Sequence, residues 1–300
     1  MPTKLEPILK WPGGKRRVLK EITRYIPSTY SSYYEPFIGG GAVYFGLQPA
    51  SAVISDVNED LINLYTQVKD NPEALIAELA DEEKYLNTQE NYLAVRALDR
   101  DENAYQELSA VEKAARIVYL NKTCFNGLYR VNSKGQFNVP YGKYANPRIL
   151  NPSLIRAVHE QFNKGTKIIH GGYKEVLTGE HAPQGEKNFI YMDPPYIPLS
   201  PSSSFTSYAK DGFNLEDQES VRDIAKELDE AGNYVLLSNS DTPTTRELYA
   251  DFVLKAIKVT RSISHNKESR IQVGELLILG RTLAAELGVE SDELPEILVD

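Results

Sequence analysis

Between Tyr33 and Asp56 the chain reads as a strand, three consecutive glycines, a helix and a second strand, an order that few folds accept. Tyr33–Phe37 is strand-like, Gly39-Gly40-Gly41 turns, Ala42–Leu47 is helical, and Ser51–Ser55 is a second strand running into Asp56. Glycine permits left-handed backbone and close approach of a ligand, and the helix start behind it offers unpaired N–H groups. Short apolar runs at Thr166–His170, Asn188–Met192 and Tyr234–Ser238 alternate with helical patterns. Such runs suit strands buried on both faces, as in a mostly parallel sheet covered by helices. Leu215–Glu230 is the best-marked helix, with Asn214 as N-cap, Asp217 in the first turn and Gly232 beyond the end. Phe252–Val259 and Val273–Leu279 are two late strands, expected as a hairpin at the sheet edge. The expected class is α/β.

From Asn58 to Tyr144 the rhythm changes. Helical patterns at Leu61–Lys69, Glu73–Tyr85, Glu90–Arg100 and Val111–Asn121 follow one another with no strand between them. Thr123–Tyr144, rich in Asn, Gly and Pro, cannot continue as helix. Residues 58–144 are therefore expected as an insertion in an α/β host made of residues 1–57 and 145–285, with 286–300 as a loosely held acidic tail.

The net charge of −9 argues at first against a polyanionic partner, but its distribution is uneven. Asp56–Glu112 holds fifteen acids and four bases, whereas Lys113–Arg148 holds seven Lys or Arg and no acid. Local density matters more to nucleic-acid binding than the total, and on charge alone a solvated face explains the basic stretch equally well. The single cysteine, Cys124, excludes an internal disulfide and a multi-cysteine metal site. His159, His170, His181 and His265 lack ligand spacing, so no metal is expected. No run approaches the roughly 18 apolar residues that cross a bilayer, and no signal-like apolar run follows Met1, so a cytoplasmic protein is expected.

Two early motifs suit a nucleotide-like ligand. The dinucleotide-binding pattern would need a small residue where Tyr44 stands, which disfavours a dehydrogenase. Asp56, fifteen residues after Gly41, stands where an acid can accept from ribose hydroxyls. Trp11-Pro12-Gly13-Gly14-Lys15 either offers a cation to an anionic ligand or is a tight turn with a surface lysine.

The chemistry centres on Asp193-Pro194-Pro195-Tyr196, behind the apolar strand Phe189-Ile190-Tyr191. Two prolines stop the sheet and leave a stiff loop at the carboxyl end of a strand, where ligands bind in this architecture. An exocyclic amine on a base is a poor nucleophile because its lone pair is delocalised into the ring. A carboxylate and a backbone carbonyl accepting its hydrogens localise that pair, and an aromatic ring beside them can stack on an extruded base.

On these motifs the chain resembles the Dam-type adenine-specific DNA methyltransferases, from Leu9 to Gly280. The order of glycine turn, insertion and catalytic motif is similar to the alpha class of amino-methyltransferases. The resemblance implies a Rossmann-like sheet that uses S-adenosylmethionine, with an inserted, mostly helical target-recognition domain acting on double-stranded DNA. It implies Asp193, Pro194, Pro195 and Tyr196 as catalytic, and Trp11, Lys15, Glu35, Phe37, Gly39, Gly41, Asp56, Tyr173 and Asp193 around the cofactor. Further matching stretches are Ser238-Asn239-x-Asp241-Thr242 and Arg261-Ser262-Ile263-Ser264.

For DNA, the resemblance implies Phe125 as a wedge in the gap left by a flipped base. It makes Asn126, Arg130, Pro140, Lys143 and Tyr144 base or backbone contacts within a GATC site. Phe125 replaces the tyrosine of some members and Lys143 an arginine, and a lysine cannot form the same planar fork. Arg261 suits a phosphate contact or ordinary protection of a sheet edge. Ser200–Tyr208 reads either as a lid over the base or as a link. Competing readings are a methyltransferase of RNA or protein glutamine, a cytosine amino-methyltransferase, and a non-catalytic DNA-binding protein; the intact Asp193 and the recognition segment weigh against them. Cys124 is expected to be packed, and a monomer without an obligate protein partner is expected.

Overall fold

The computed structural model describes residues 5–197, 213–259 and 273–292. The expectations for Ser200–Tyr208 and Arg261 lie outside them. Seven strands are present: β1 Tyr33–Glu35, β2 Ala52–Asp56, β3 Thr166–His170, β4 Phe189–Met192, β5 Tyr234–Ser240, β6 Val253–Val259 and β7 Val273–Leu279. They form one sheet in the order β3-β2-β1-β4-β5-β7-β6, and with the helices between them this is the expected α/β class. β4 runs parallel to β1 and β5, and β7 is antiparallel to both β5 and β6.

The two late strands pair antiparallel at one edge of the sheet, as expected. β7 lies between β5 and β6, and β6 is the outermost. Composition explains which of the two lies outside. Glu275-Leu276-Leu277-Ile278-Leu279 is buried throughout, whereas β6 carries the half-buried Lys255 and the exposed Ala256. A strand that can tolerate charge takes the edge.

Twelve α-helices accompany the strands among the described residues: α1 Leu19–Ile22, α2 Ala42–Leu47, α3 Glu59–Asp70, α4 Pro72–Leu79, α5 Gln89–Ala97, α6 Glu102–Glu107, α7 Ala110–Thr123, α8 Pro152–Phe162, α9 Tyr173–Thr178, α10 Leu215–Glu230, α11 Pro243–Leu248 and α12 Arg281–Leu287. None is long and apolar enough to cross a membrane. The expected helix from Glu73 to Tyr85 stops at Leu79, because Asp81 caps a turn by accepting from the Glu83 and Lys84 amides.

Contacts divide the chain into two compact units. The first comprises residues 1–15, 38–50 and 54–171, and contains the whole expected insertion. Its axis is α7, opened by a capping box between Ser109 and Glu112 and flanked by α3, α4 and α5. Arg116 is buried in α7. Its guanidinium pairs with Asp99 at 2.7 Å and donates to the carbonyls of Val95 and Arg96 at 3.1 and 3.0 Å, which satisfies a charge that would otherwise be costly to bury.

The second unit comprises residues 16–37, 51–53 and 172–300. Its core is β4, β5 and β7 with α10, whose capping box joins Asn214 and Asp217. The start of the expected tail is held on this unit. Glu286 accepts from the Tyr234 hydroxyl at 3.2 Å, and the Asp292 amide donates to the Leu254 carbonyl at 3.1 Å.

Candidate active site and recognition surface

In the second unit, β4 delivers Asp193-Pro194-Pro195-Tyr196 and the end of β5 grips the loop. Ser238 Oγ donates to Asp193 Oδ1 at 2.9 Å, with the buried Tyr191 hydroxyl 2.8 Å from Ser238 Oγ. Asn239 Oδ1 accepts from the Ile197 amide at 3.1 Å, and Ser240 Oγ donates to the Ile197 carbonyl at 2.6 Å. Gln218 on α10 donates to the Pro195 carbonyl at 2.6 Å and accepts from Asn239 at 3.1 Å. The Asp193 carboxylate is thereby aimed while remaining partly exposed.

Tyr196 is braced from its far end: its hydroxyl donates to Glu275 Oε1 at 2.5 Å. Desolvation, then the neighbouring Asp193 and Glu275 charges, push its pKa well above that of an ordinary tyrosine. The phenol stays protonated and acts here as a donor. Sequence reasoning missed Glu275 and Gln218, and it assigned no role to Ser238 or Asn239. The signal for Glu275 was present, since it is the one acid in the apolar run Val273–Leu279 and a buried strand does not hold an acid without a partner.

Three further cofactor expectations lie on this unit. Glu35 is buried and accepts from the Tyr33 hydroxyl at 2.7 Å. Phe37 stacks on Tyr173, with ring centroids 5.4 Å apart and planes at 25°. Phe213, not singled out from the sequence, sets its edge against Phe37 at 6.1 Å and 82°.

In the first unit the glycine turn is drawn tight around Asp56. The Gly39 amide donates to Asp56 Oδ2 at 3.0 Å, the Asn58 amide to Oδ1 at 3.0 Å, and the Tyr65 hydroxyl to the Gly39 carbonyl at 2.6 Å. Gly39 has φ +45°, and a Cβ there would stand 2.8 Å from Trp11 Cδ1, so no larger residue fits. Burial raises the Asp56 pKa, opposed by the amides of Asn58, Gly39 and Val57. Lys15 is buried, and its ammonium donates to the Gly13 carbonyl at 2.8 Å, so the surface-lysine reading of this turn does not hold.

The residues expected to contact DNA that the structure describes lie in the first unit. Phe125 is 51% exposed at the tip of a single 3₁₀ turn, and its amide donates to the Pro140 carbonyl at 2.8 Å. Asn126 is left-handed at φ +56°, and its amide donates to the Tyr144 hydroxyl at 2.9 Å. Arg130 is exposed, and its guanidinium donates to Asn138 Oδ1 at 2.6 Å. Pro140 and Lys143 are exposed too, and Lys143 adopts φ +55°.

Two further residues pack beside these. Gly142 admits no Cβ, which would meet the Cys124 carbonyl oxygen at 2.7 Å. Lys10 was not expected from the sequence. Asn121 brackets its backbone through bonds of 2.9 and 2.8 Å, and its ammonium lies 5.9 Å from the Tyr144 ring centroid. Cys124 is packed as expected; burial lifts its thiol to about 11.

Residues 11–263 match the model of the D12 class N6 adenine-specific DNA methyltransferases. The chain belongs to this family. Curated relatives agree along nearly their whole length. A Type II methyltransferase of Lactococcus lactis subsp. cremoris, M1.LlaDCHI, is 47% identical over 275 residues, covering 91% of this chain and 95% of that one. The DNA adenine methylase of Escherichia coli K12 is 35% identical over 274 residues, covering 90% and 94%. That of Vibrio cholerae O395 is 38% identical over 272, covering 90% and 94%. This protein is an adenine-specific DNA methyltransferase, and the braced Asp193 lies inside the matched region. The readings as a glutamine, RNA or cytosine methyltransferase, or as a non-catalytic binder, fall away.

Proposed function

We propose that this methyltransferase moves the methyl group of S-adenosylmethionine to the exocyclic amine of an adenine turned out of duplex DNA, within GATC. The aimed carboxylate of Asp193 carries the reading. The residues around the glycine turn fit that cofactor: the turn has no room for a Cβ where Trp11 lies against it, and Asp56 offers carboxylate oxygens to ribose hydroxyls. Trp11, Lys15, Glu35, Phe37, Gly39, Gly41, Asp56, Tyr173 and Asp193 are the residues that would hold it. Phe37 and Tyr173 present aromatic surface suited to an adenine ring.

When bound, S-adenosylmethionine supplies an electrophilic methyl group on a sulfonium. The chain's own part is to make the amine a nucleophile. Asp193 accepts one amine hydrogen and a loop carbonyl the other, which localises the lone pair. The Pro195 carbonyl also accepts from Gln218, which holds the loop that offers it. Tyr196 offers the flat face on which the base stacks, held in place through its hydroxyl. Phe125 fills the gap in the duplex, while Arg130, Asn126, Pro140, Lys143, Tyr144 and Arg261 contact base edges or phosphates. The enzyme acts as a monomer in the cytoplasm, on host DNA or as the modification half of a restriction system.

Tritiated S-adenosylmethionine, duplex oligonucleotides with and without GATC, and identification of the labelled nucleoside test this. Label in N6-methyladenine of the GATC duplex alone is expected. Equal label in duplexes lacking GATC would refute the specificity, and label in another nucleoside the chemistry.

A further inference from the structure

Trp11 is clamped between two parts of the first unit. The edge of its indole lies on the glycine turn, where a Cβ built on Gly39 would stand 2.8 Å from Trp11 Cδ1 and one built on Gly40 3.0 Å from Trp11 Cβ. Its other contact is Tyr129, stacked at 4.7 Å between centroids with planes at 24°. Tyr129 immediately precedes the exposed Arg130, and it is buried. Its ring meets Phe137 edge-on at 5.8 Å and 70°, on the opposite arm of the segment that carries Arg130. The Asn138 amide closes that segment onto the Arg130 carbonyl at 3.0 Å.

The far end of Tyr129 is tied to α3. Its hydroxyl lies 3.4 Å from Asp60 Oδ2, and the Tyr105 hydroxyl donates to Asp60 Oδ1 at 3.1 Å. The same helix supplies Tyr65, whose hydroxyl holds the Gly39 carbonyl. Tyr129 therefore touches the glycine turn through Trp11 and, through α3, the helix that fixes that turn. A displacement of Arg130 and its segment cannot leave the Trp11 stack unchanged, because packed rings slide or separate as units and do not deform.

We propose that Tyr129 is a positioning residue that couples cofactor binding at the glycine turn to DNA reading by the Arg130 segment. The inference rests on the reading of Trp11 as part of the cofactor site. Coupling of this kind is reciprocal: whatever factor DNA adds to cofactor affinity, cofactor adds to DNA affinity.

The chain has one tryptophan, so intrinsic emission reports the stack without a label. The experiment measures the affinity of S-adenosylhomocysteine with and without a GATC duplex, and the emission of Trp11 in each state. For the unaltered enzyme, about ten-fold tighter cofactor binding with duplex is expected, within the usual range of such couplings. The duplex alone should also shift Trp11 emission. Tyr129→Met, which keeps the volume and loses the flat face, should bring the coupling factor close to one while both ligands still bind singly. Tyr129→Phe, which keeps the stack and loses the bond to Asp60, should retain most of the coupling. A merely structural Tyr129 would weaken both ligands alike and leave their ratio intact, and that result overturns the proposal. So does independent binding in the unaltered enzyme with Trp11 emission indifferent to duplex. Absence of any cofactor binding by the unaltered enzyme is a different outcome, which removes the cofactor reading and this inference with it.

Discussion

Ser238 Oγ stands 2.9 Å from Asp193 Oδ1 and donates to it, backed by the buried hydroxyl of Tyr191 at 2.8 Å. A hydroxyl from β5 thus aims the carboxylate of a loop that follows β4, which runs parallel to β5. The register that pairs Tyr191 with Leu236 and Met192 with Leu237 puts Ser238 one step further on, level with Asp193.

Replacing Ser238 by alanine removes a hydrogen bond to a charged group, worth about 1.5–3 kcal/mol. If that bond serves to aim Asp193, single-turnover methylation should slow by about ten- to a hundred-fold, with cofactor and DNA affinities little changed. Rapid-quench kinetics beside binding titrations check this. A loss confined to affinity would deny Ser238 its aiming role.

Tyr196→Phe keeps the ring and strips the donor from the buried Glu275. Losing one hydrogen bond costs about 0.5–1.5 kcal/mol, and about 1.5–3 where a charged group accepts it. The variant should unfold at lower denaturant concentration yet retain methylation, because the stacking face survives. Tyr196→Ala should lose methylation as well. Equal rates for the alanine and phenylalanine variants would show that the ring does not stack on substrate.

Arg130 is exposed and forks onto Asn138 through Nε and Nη2. If it reads a guanine, Arg130→Ala should lose about 1–3 kcal/mol of discrimination against sites altered at that base. Competition between cognate and singly altered duplexes measures it. A uniform loss on every duplex, with a shallower salt dependence, would make Arg130 a phosphate contact.

Glu112 closes the capping box of α7 and accepts from Lys84 at 2.9 Å. The Lys84 ammonium and the Ser109 donors hold its carboxyl at about 2, down from the ordinary 4.5. A carboxyl depressed in the folded state adds stability above its unfolded pKa and loses it as pH falls through the folded value. The contribution should be complete at pH 7 and fade from about 4.5 towards 2. Denaturant midpoints for the native chain and Glu112→Gln should differ at pH 7 and converge below about 3. A gap of constant size across that range would contradict this.

Much of the fold was legible because its signals are local. Helix α10 announces itself by Asn214 and Gly232, α2 by the glycines before it, and β4 by an unbroken apolar run. Asp193-Pro194-Pro195-Tyr196 was legible for the same reason, since rigidity and chemistry sit in four consecutive residues. Which of β6 and β7 lies outermost, the burial of Lys15 and the brace of Glu275 on Tyr196 were not legible, because each joins distant parts of the chain.

By itself the amino-acid order determined an α/β sheet, a run of helices between β2 and β3, and a carboxylate at the end of β4. Only the tertiary structure decided what holds that carboxylate, which strand lies at the edge, and that Tyr129 stacks on Trp11. The division has a physical cause. Backbone propensity and burial pattern act over a few residues, whereas a hydrogen bond across two strands or a ring stack over more than a hundred residues exists only after the chain has closed on itself.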